Sequence, residues 1–179
     1  MRLMQEPAME PDFDPASFRQ ALASFASGVT VITTYQHDVP LGTTVSAFSA
    51  LSMDPPLVVV CLDRKSNTLA AIKENGFFGV NILSAAQAEI AQCFASSSGK
   101  AKFDGIEYRQ PEEDSVNGEE GAPLLTGVCT ALDCILDGVL DGGDHEILVG
   151  RVRFLETDVE KEPLVYFRSK FVRLSHGAA

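Results

Sequence analysis

The sequence predicts a mainly β domain of the α+β class, in which short antiparallel strands form a small barrel with flanking helices. Short β-branched or apolar runs recur along the chain at residues 29–34, 57–62 and 77–83, and turn residues bound each of them. A few short helical patterns separate these runs. Many short strands joined by hairpins, with helices that cover the ends, are typical of such barrels.

Length and charge limit the classes of function. A chain of 179 residues is long enough for one domain with a sizeable core. The formal net charge of −11 argues against a nucleic-acid or anionic-membrane partner, because both require a basic surface. The acidic, proline-broken residues 1–13 are expected to be a flexible leader before a domain at residues 14–176. No targeting segment or apolar run of membrane length is visible, so we expect a cytoplasmic protein.

The four cysteines show neither zinc-site nor redox CxxC spacing. We therefore expect four free thiols packed as small core residues, and no metal site.

The first predicted helix has Pro15 in its first turn and Asp12 or Asp14 as its N-cap. Its apolar face would be formed by Phe18, Leu22 and Phe25, and Ser27-Gly28 would end it. A β-branched strand at residues 29–34 follows.

The central stretch of the chain runs from Gly42 to Leu69. Hydroxyl side chains occur on both parities of its first part, which indicates that something polar lies on the buried side. Two prolines within residues 53–56 turn the chain and make the flanking strands neighbours. Residues 57–62 form a continuous apolar run, so we expect a strand buried on both faces that stops at Asp63.

A helix is predicted directly after this strand, with Ser66 as its N-cap and Asn75-Gly76 as its end. Helix N-termini carry unpaired N–H groups and the positive end of the helix dipole. With Arg64 and Lys65 beside it, this helix start would stabilise an anion such as a phosphate. The alternative is an ordinary cap with solvated charges.

The remaining chain predicts a strand at residues 77–83 and a capping box at Ser84–Gln87 that opens a helix. An acidic surface loop is expected at residues 107–122. A long hairpin begins at Gly127, with Gly142-Gly143 as its two-residue turn and with Leu148, Val152 and Phe154 on one face of the return strand. Residues 163–174 form the most aromatic segment.

Three ligand motifs can be excluded. Residues 94–101 lack the glycine and the hydroxyl residue that a Walker A loop requires. Residues 137–148 lack the acidic ligands of a calcium loop. No GxGxxG follows a strand, so a Rossmann nucleotide site is excluded as well. The residues alone therefore predict a barrel that binds a phosphate-bearing ligand.

The chain resembles the flavin reductase-like family from about Phe18 to Leu174. This family comprises short-chain NAD(P)H:flavin oxidoreductases that serve as reductase components of two-component flavin-dependent monooxygenases. The segments that carry the resemblance are FRQALASFASGVTVITT at 18–34, TTVSAFSALSMDPPLVVVCLDRKSNTL at 43–69, VNIL at 80–83, FASSSGKAKFDG at 94–105, GDHEILVGRV at 143–152 and the aromatic tail.

The resemblance implies an FMN-binding split β-barrel, usually a homodimer, with FMN or FAD at the subunit interface and NADH or NADPH as donor. It implies a cofactor-binding set of fifteen residues, Thr44, Val45, Ser46, Ala47, Ser52, Asp63, Lys65, Ser66, Asn67, Thr68, Phe94, Lys102, Phe103, Tyr166 and Phe171. His145 would bind the nicotinamide nucleotide. No residue is expected to be catalytic in its own right, because the two cofactors carry the hydride chemistry.

The function that the resemblance implies is reduction of FMN or FAD by NADH or NADPH, with the reduced flavin supplied to a partner monooxygenase. Two alternatives remain. One is a non-enzymatic FMN-binding or electron-transfer protein with the same barrel. The other is a flavoprotein of the pyridoxamine-phosphate oxidase type. The sequence at 143–152 argues against this second alternative.

Overall fold

The computed structural model describes residues 12–96, 100–111 and 120–174, so residues 1–11 of the expected leader lie outside the described residues. The described helices are α1 Pro15–Leu22, α2 Asn67–Asn75 and α3 Ala88–Ala95, with a 3-10 turn at Lys100–Phe103. The strands are β1 Ser27–Gly28, β2 Thr30–Gln36, β3 Val39–Val45, β4 Phe48–Met53, β5 Pro56–Asp63, β6 Phe77–Ile82, β7 Tyr108–Arg109, β8 Leu124–Leu125, β9 Thr130–Gly142, β10 His145–Thr157, β11 Val165–Phe167 and β12 Lys170–Val172.

The main sheet has seven antiparallel strands in the order β3-β2-β6-β9-β10-β5-β4. Its two outermost strands are consecutive in the chain, and only Ser46 and Ala47 join them. Because two residues span only about 7 Å, the two edges of the sheet must come together there. The Cys61 N–H donates to the Ala47 carbonyl at 3.0 Å across this junction. The sheet is therefore curled into a split barrel, as predicted.

The barrel interior and the space outside β2 hold separate apolar clusters. Ile32, Val60, Phe78 and Leu148 are fully buried in the first cluster. The second cluster lies beneath α3 and contains Val31, Phe94 and Leu124 among others. Neighbouring residues of β2 thus face different clusters, and that strand is buried on both faces.

Strand β5 differs from its prediction. Val58, Val60 and Leu62 are buried, whereas Leu57, Val59 and Cys61 between them are half-exposed. The expectation of burial on both faces is wrong for residues 57–62, because no described helix packs on their outer side. A sequence rich in valine fits either environment.

The return strand β10 also corrects a prediction. Its ladder with β9 is irregular between Val149 and Gly150 and again between Val152 and Phe154. An irregularity of this kind changes the face on which the following side chains lie. Phe154 accordingly packs against the second cluster, while Leu148 and Val152 belong to the barrel interior.

Several element ends shift from their predicted positions. Asp14 caps α1 as expected, but the helix ends at Leu22, and Ser27–Gly28 forms a strand. In the predicted capping box, the Gln87 side chain accepts from the Ser84 N–H, yet the helix begins only at Ala88. The long hairpin turns at Gly143 and Asp144, one residue later than predicted, and Gly143 takes the positive φ.

Two smaller sheets complete the described fold. Strands β11 and β12 form a hairpin that pairs with β1, so the aromatic segment builds its own three-stranded sheet. Strands β7 and β8 pair with each other, and Ala122 just before β8 is fully buried. Of the predicted surface loop at 107–122, the described residues include strand β7 and the buried Ala122, while residues 112–119 lie outside the described residues. No helix of the described residues is long and apolar enough to cross a membrane.

Candidate functional site

Three clefts meet at Ser46, where the barrel edges join. One of about 250 Å³ extends toward α2, another of about 640 Å³ toward α1, and the third, of about 760 Å³, toward β12. Ser46 lines all three. The junction of β3 and β4 therefore lies at the centre of one continuous surface depression.

The smallest cleft ends at the start of α2. Ser66 is the N-cap, and its Oγ accepts from the Leu69 N–H at 3.4 Å. Asp63 fixes the preceding loop, because its Oδ1 accepts from the Lys65 N–H at 2.7 Å and its carbonyl from the Ser66 N–H at 2.9 Å. The helix start and its Ser66 cap are as the sequence predicts, and the unpaired N–H groups of the first helical turn could bind an anion there.

Only one of the two predicted cations is available at this helix start. The Arg64 side chain forms ion pairs with Asp141 and Glu146. The Lys65 side chain is exposed, and its ammonium forms neither a hydrogen bond nor an ion pair with the described residues. The cation that can meet a phosphate is therefore Lys65, and the expectation that Arg64 shares this role is wrong.

His145 lies across the same cleft from Ser66. It begins β10 and is the register partner of Asp63, the last residue of β5. Its Nδ1 is 2.7 Å from Asp144 Oδ1, and this hydrogen bond holds the pKa of the Asp144 carboxyl below its usual range. The imidazole thus has a fixed partner on one side and a half-exposed face toward the cleft.

The residues of the predicted contact strand are divided between the protein interior and the clefts. The Thr44 Oγ1 donates to the Ala91 carbonyl of α3 at 2.7 Å, and the Val45 side chain is in the barrel core. Ser46 and Ala47, in contrast, are exposed. The Ser46 hydroxyl has no hydrogen-bond partner among the described residues, so it is free to bind a ligand.

The aromatic end of the depression is formed by the β11–β12 hairpin. The rings of Tyr166 and Phe171 lie 5.5 Å apart, and both line the largest cleft. They are opposite the exposed side of α3 and supply an apolar wall on which a planar group can pack.

Seven of the predicted residues do not line any of these clefts. Phe94 has no exposed surface and packs against Gly42, so a flavin contact through its side chain is wrong. Phe103 packs edge-on against Phe94 with ring centroids 4.9 Å apart. The side chains of Lys65, Asn67 and Thr68 border the helix start outside the cleft lining, and Thr68 is 3% exposed.

Lys102 and Ser52 also lie apart from the cleft lining. The Lys102 ammonium donates to the carbonyls of Phe94 at 3.0 Å and Gly42 at 3.4 Å, and burial lowers its pKa. It joins α3 to β3 behind the cleft. Ser52 is half-buried near the far end of β4, beyond a ladder irregularity.

Sequence reasoning missed many of the residues that line the clefts, among them Cys61, Gln92, Ala95 and Ser169. Gln92 and Ala95 follow the buried Ala91 and Phe94 by one residue each, so helical periodicity could have placed them on the exposed side of α3. Cys61 could not have been found, because its half-exposure follows from the uncovered outer side of β5. All four cysteines are free.

Comparisons with known proteins identify the family of the chain. The flavin reductase like domain matches residues 22–175. The reductase subunit HsaB of a flavin-dependent monooxygenase from Rhodococcus jostii (strain RHA1) is 39% identical over 158 residues, which cover 88% of this chain and 77% of the relative.

Two solved structures share the fold. The NADH:FAD oxidoreductase SgcE6 of Streptomyces globisporus, in complex with NAD and FAD fragments, is 30% identical with a TM-score of 0.84, covering 93% of this chain and 96% of that chain. Nitrilotriacetate monooxygenase component B from Mycobacterium thermoresistibile is 35% identical with a TM-score of 0.82, covering 89% and 86%. The family match spans most of the chain, and the chain therefore belongs to the flavin reductase-like family.

Proposed function

We propose that this protein is an NAD(P)H:flavin oxidoreductase that reduces FMN or FAD with NADH and supplies the reduced flavin to a partner monooxygenase. The observation that carries the proposal is the depression around Ser46, which has an anion-binding helix start at one end and an aromatic pair at the other. The reductase subunits and the NADH:FAD oxidoreductase to which the chain is similar support it.

The residues present fit a flavin nucleotide. Such a ligand has a planar ring joined through a polyol to a phosphate. The helix start with Ser66 and Lys65 suits the phosphate, and the exposed backbone at Ser46 and Ala47 suits the polar edge of the ring. The ring face would pack on the apolar wall at Tyr166 and Phe171.

The chain itself acts by binding and orientation. When bound, the two nucleotides supply the redox chemistry, which is hydride transfer from the nicotinamide to the flavin. His145 would hold the nicotinamide nucleotide, while the walls of the depression align the two rings and exclude water. No side chain of the site is required as a proton donor or acceptor for this transfer.

A homodimer remains part of the proposal. The half-exposed Val59 and Cys61 on the outer side of β5 have Val149 and Ile147 as register partners, so the four side chains form one apolar surface. This surface continues into the depression through Cys61, which lines two of the clefts. A second copy seated on it would cover the apolar surface and close the site from outside.

The dimer is tested by light scattering of Val59→Arg. The charged side chain should give monomer mass and lower flavin affinity, whereas Val39→Arg, at an exposed valine of β3, should leave both unchanged. A Val59→Arg protein that remains dimeric would place the interface elsewhere.

The activity is tested by mixing the purified protein with NADH or NADPH and with FMN or FAD in all four pairs, following absorbance of the nicotinamide. Oxidation of NADH that requires added or bound flavin is the expected result. Tight flavin binding without NADH oxidation would favour the electron-transfer alternative. Oxidation of a pyridoxamine phosphate would favour the oxidase alternative.

The cytoplasmic location stays a prediction.

A further inference from the structure

The loop between β5 and α2 is bonded to the tip of the β9–β10 hairpin by a single side chain. Arg64 Nε donates to the Gly143 carbonyl at 2.7 Å, Nη1 donates to Glu146 Oε1 at 2.8 Å, and Nη2 donates to Asp141. Its backbone N–H donates to the Asp144 carbonyl at 3.1 Å. One residue therefore bonds to four residues of the hairpin tip that carries His145.

These bonds are linked to each other. The Asp141 Oδ1 that Arg64 holds also accepts from the Gly143 N–H at 3.2 Å, inside the turn. The second oxygen of Glu146 accepts from Lys73 Nζ at 2.9 Å, and the Glu146 side chain is only 13% exposed. The guanidinium thus fixes the turn and shares the charge of a largely buried carboxylate with α2.

We infer that Arg64 is a positioning residue for the nicotinamide nucleotide, acting through His145. The Arg64 guanidinium group holds the hairpin tip against the β5–α2 loop. His145 is therefore held in a fixed position opposite Ser66 across the smallest cleft. The inference rests on the proposed function, in which His145 meets that nucleotide.

The helix start does not depend on the Arg64 side chain. Lys65 and Ser66 are held by Asp63 through their own backbone N–H groups, and Ser66 caps the helix. Loss of the Arg64 guanidinium group should therefore loosen the hairpin tip and leave the proposed flavin phosphate position intact. This separates the role of Arg64 from that of a flavin ligand.

The same hairpin offers a matched control. Arg151 of β10 donates from Nε and Nη2 to Asp137 of β9 at 2.9 and 2.6 Å, as an exposed pair that lines none of the clefts at Ser46. Arg64→Met and Arg151→Met each remove one positive charge that is paired with the β9–β10 hairpin. Only Arg64→Met removes hydrogen bonds to the hairpin tip.

The kinetic test compares Arg64→Met, Arg151→Met, His145→Ala and the double variant Arg64→Met/His145→Ala. We expect Arg64→Met to raise the KM for NADH by no more than His145→Ala does, roughly fivefold, with kcat within about twofold and flavin affinity within about threefold. Arg151→Met should match the wild type. The double variant should be no worse than His145→Ala alone, because both changes remove one function. An unchanged KM, additive losses, or an equal loss of flavin affinity would overturn the inference.

A second readout needs no ligand. Amide hydrogen exchange in residues 141–146 of the ligand-free protein should be faster in Arg64→Met and unchanged in Arg151→Met. Unchanged exchange in Arg64→Met would also overturn the inference, whatever the kinetics. If the wild type fails to oxidise NADH, the proposed function fails by itself, and the exchange result still decides whether Arg64 fixes the hairpin tip.

Discussion

Two regions of this molecule place polar side chains on the same barrel but use them differently. Around the segment at 120–125, buried polar groups are bonded to the protein itself. Asn81 donates to the Val31 carbonyl at 3.0 Å and accepts from the Leu125 N–H at 2.7 Å. Thr33 donates to the Pro123 carbonyl at 2.5 Å. Every polar group named there has a partner within the fold.

The depression around Ser46 is the opposite case. The Ser46 hydroxyl and the Lys65 ammonium have no hydrogen-bond partner among the described residues. The apolar rings of Tyr166 and Phe171 border it without being fully covered. The difference indicates that polar groups bonded within the fold serve stability, whereas those left without a protein partner beside a cleft are available to a ligand.

The largest expected effect lies in the bonded region. Arg153 Nε donates to Asp133, which is fully buried, and the Arg153 guanidinium also reaches the Glu120 carbonyl. Arg153→Met leaves a buried carboxylate without its cation, so the free energy of unfolding should fall by about 3–5 kcal/mol in urea. The exposed Arg151 pair is the control, and Arg151→Met should cost about 1 kcal/mol or less. Equal losses of unfolding free energy in Arg153→Met and Arg151→Met would contradict the view that the buried polar groups of this region serve stability.

The next effect lies in the depression. Lys65→Ala combined with Ser66→Ala should weaken FMN binding by about 2–4 kcal/mol, because charge-assisted hydrogen bonds to the phosphate are lost. Riboflavin, which lacks the phosphate, should bind nearly as before in the same titration. Lys161→Ala, a surface lysine paired with Asp158, is the matched control. Equal losses for both flavins would put the phosphate elsewhere.

A pair of hydroxyl deletions compares the two regions directly. Thr33→Val removes a donor to Pro123 and an acceptor for Asn81, and should lower the free energy of unfolding by about 1–3 kcal/mol. Ser46→Ala deletes an exposed hydroxyl without a protein partner and should change it by less than about 0.5 kcal/mol. Both values come from chemical denaturation. A large loss in Ser46→Ala would show that this hydroxyl is structural.

The smallest effect is expected at His145. His145→Ala should raise the KM for NADH by about 1 kcal/mol, or roughly fivefold, with flavin affinity changed by less than about threefold. Steady-state kinetics at saturating flavin and a flavin titration give the two values. Loss of flavin with normal NADH kinetics would assign His145 to the flavin position.

Much of the fold follows from local chemistry. The strands at 29–34 and 77–83, the cap at Asp14, and helix α2 with its Ser66 cap and Gly76 end are as predicted, because each depends on residues adjacent in the chain. The anion position proposed at Ser66 rests on the same kind of local signal, since a helix start needs only its own cap and amides. Family resemblance added the position of His145 at the cleft.

The remainder depends on contacts that are distant in sequence. Arg64 looked like a phosphate ligand, but its carboxylate partners Asp141 and Glu146 are 77 and 82 residues away. Phe94 lies in the core because Gly42 leaves space for its ring. The threonines of β2 are buried since their hydroxyls bond to carbonyls elsewhere. No local pattern reports such pairings.

The exposed junction at Ser46 and Ala47 has a consequence for timing. At an association rate of about 10⁶ M⁻¹s⁻¹, a ligand held with nanomolar affinity would stay for roughly a thousand seconds, and one held with micromolar affinity for about one second. Enzymes turn over at about 1–10³ s⁻¹, so a protein that must release its product to another enzyme can use only the weaker regime. We therefore expect substitutions that deepen this depression to lengthen the residence of reduced flavin and to slow its delivery, even where they improve binding.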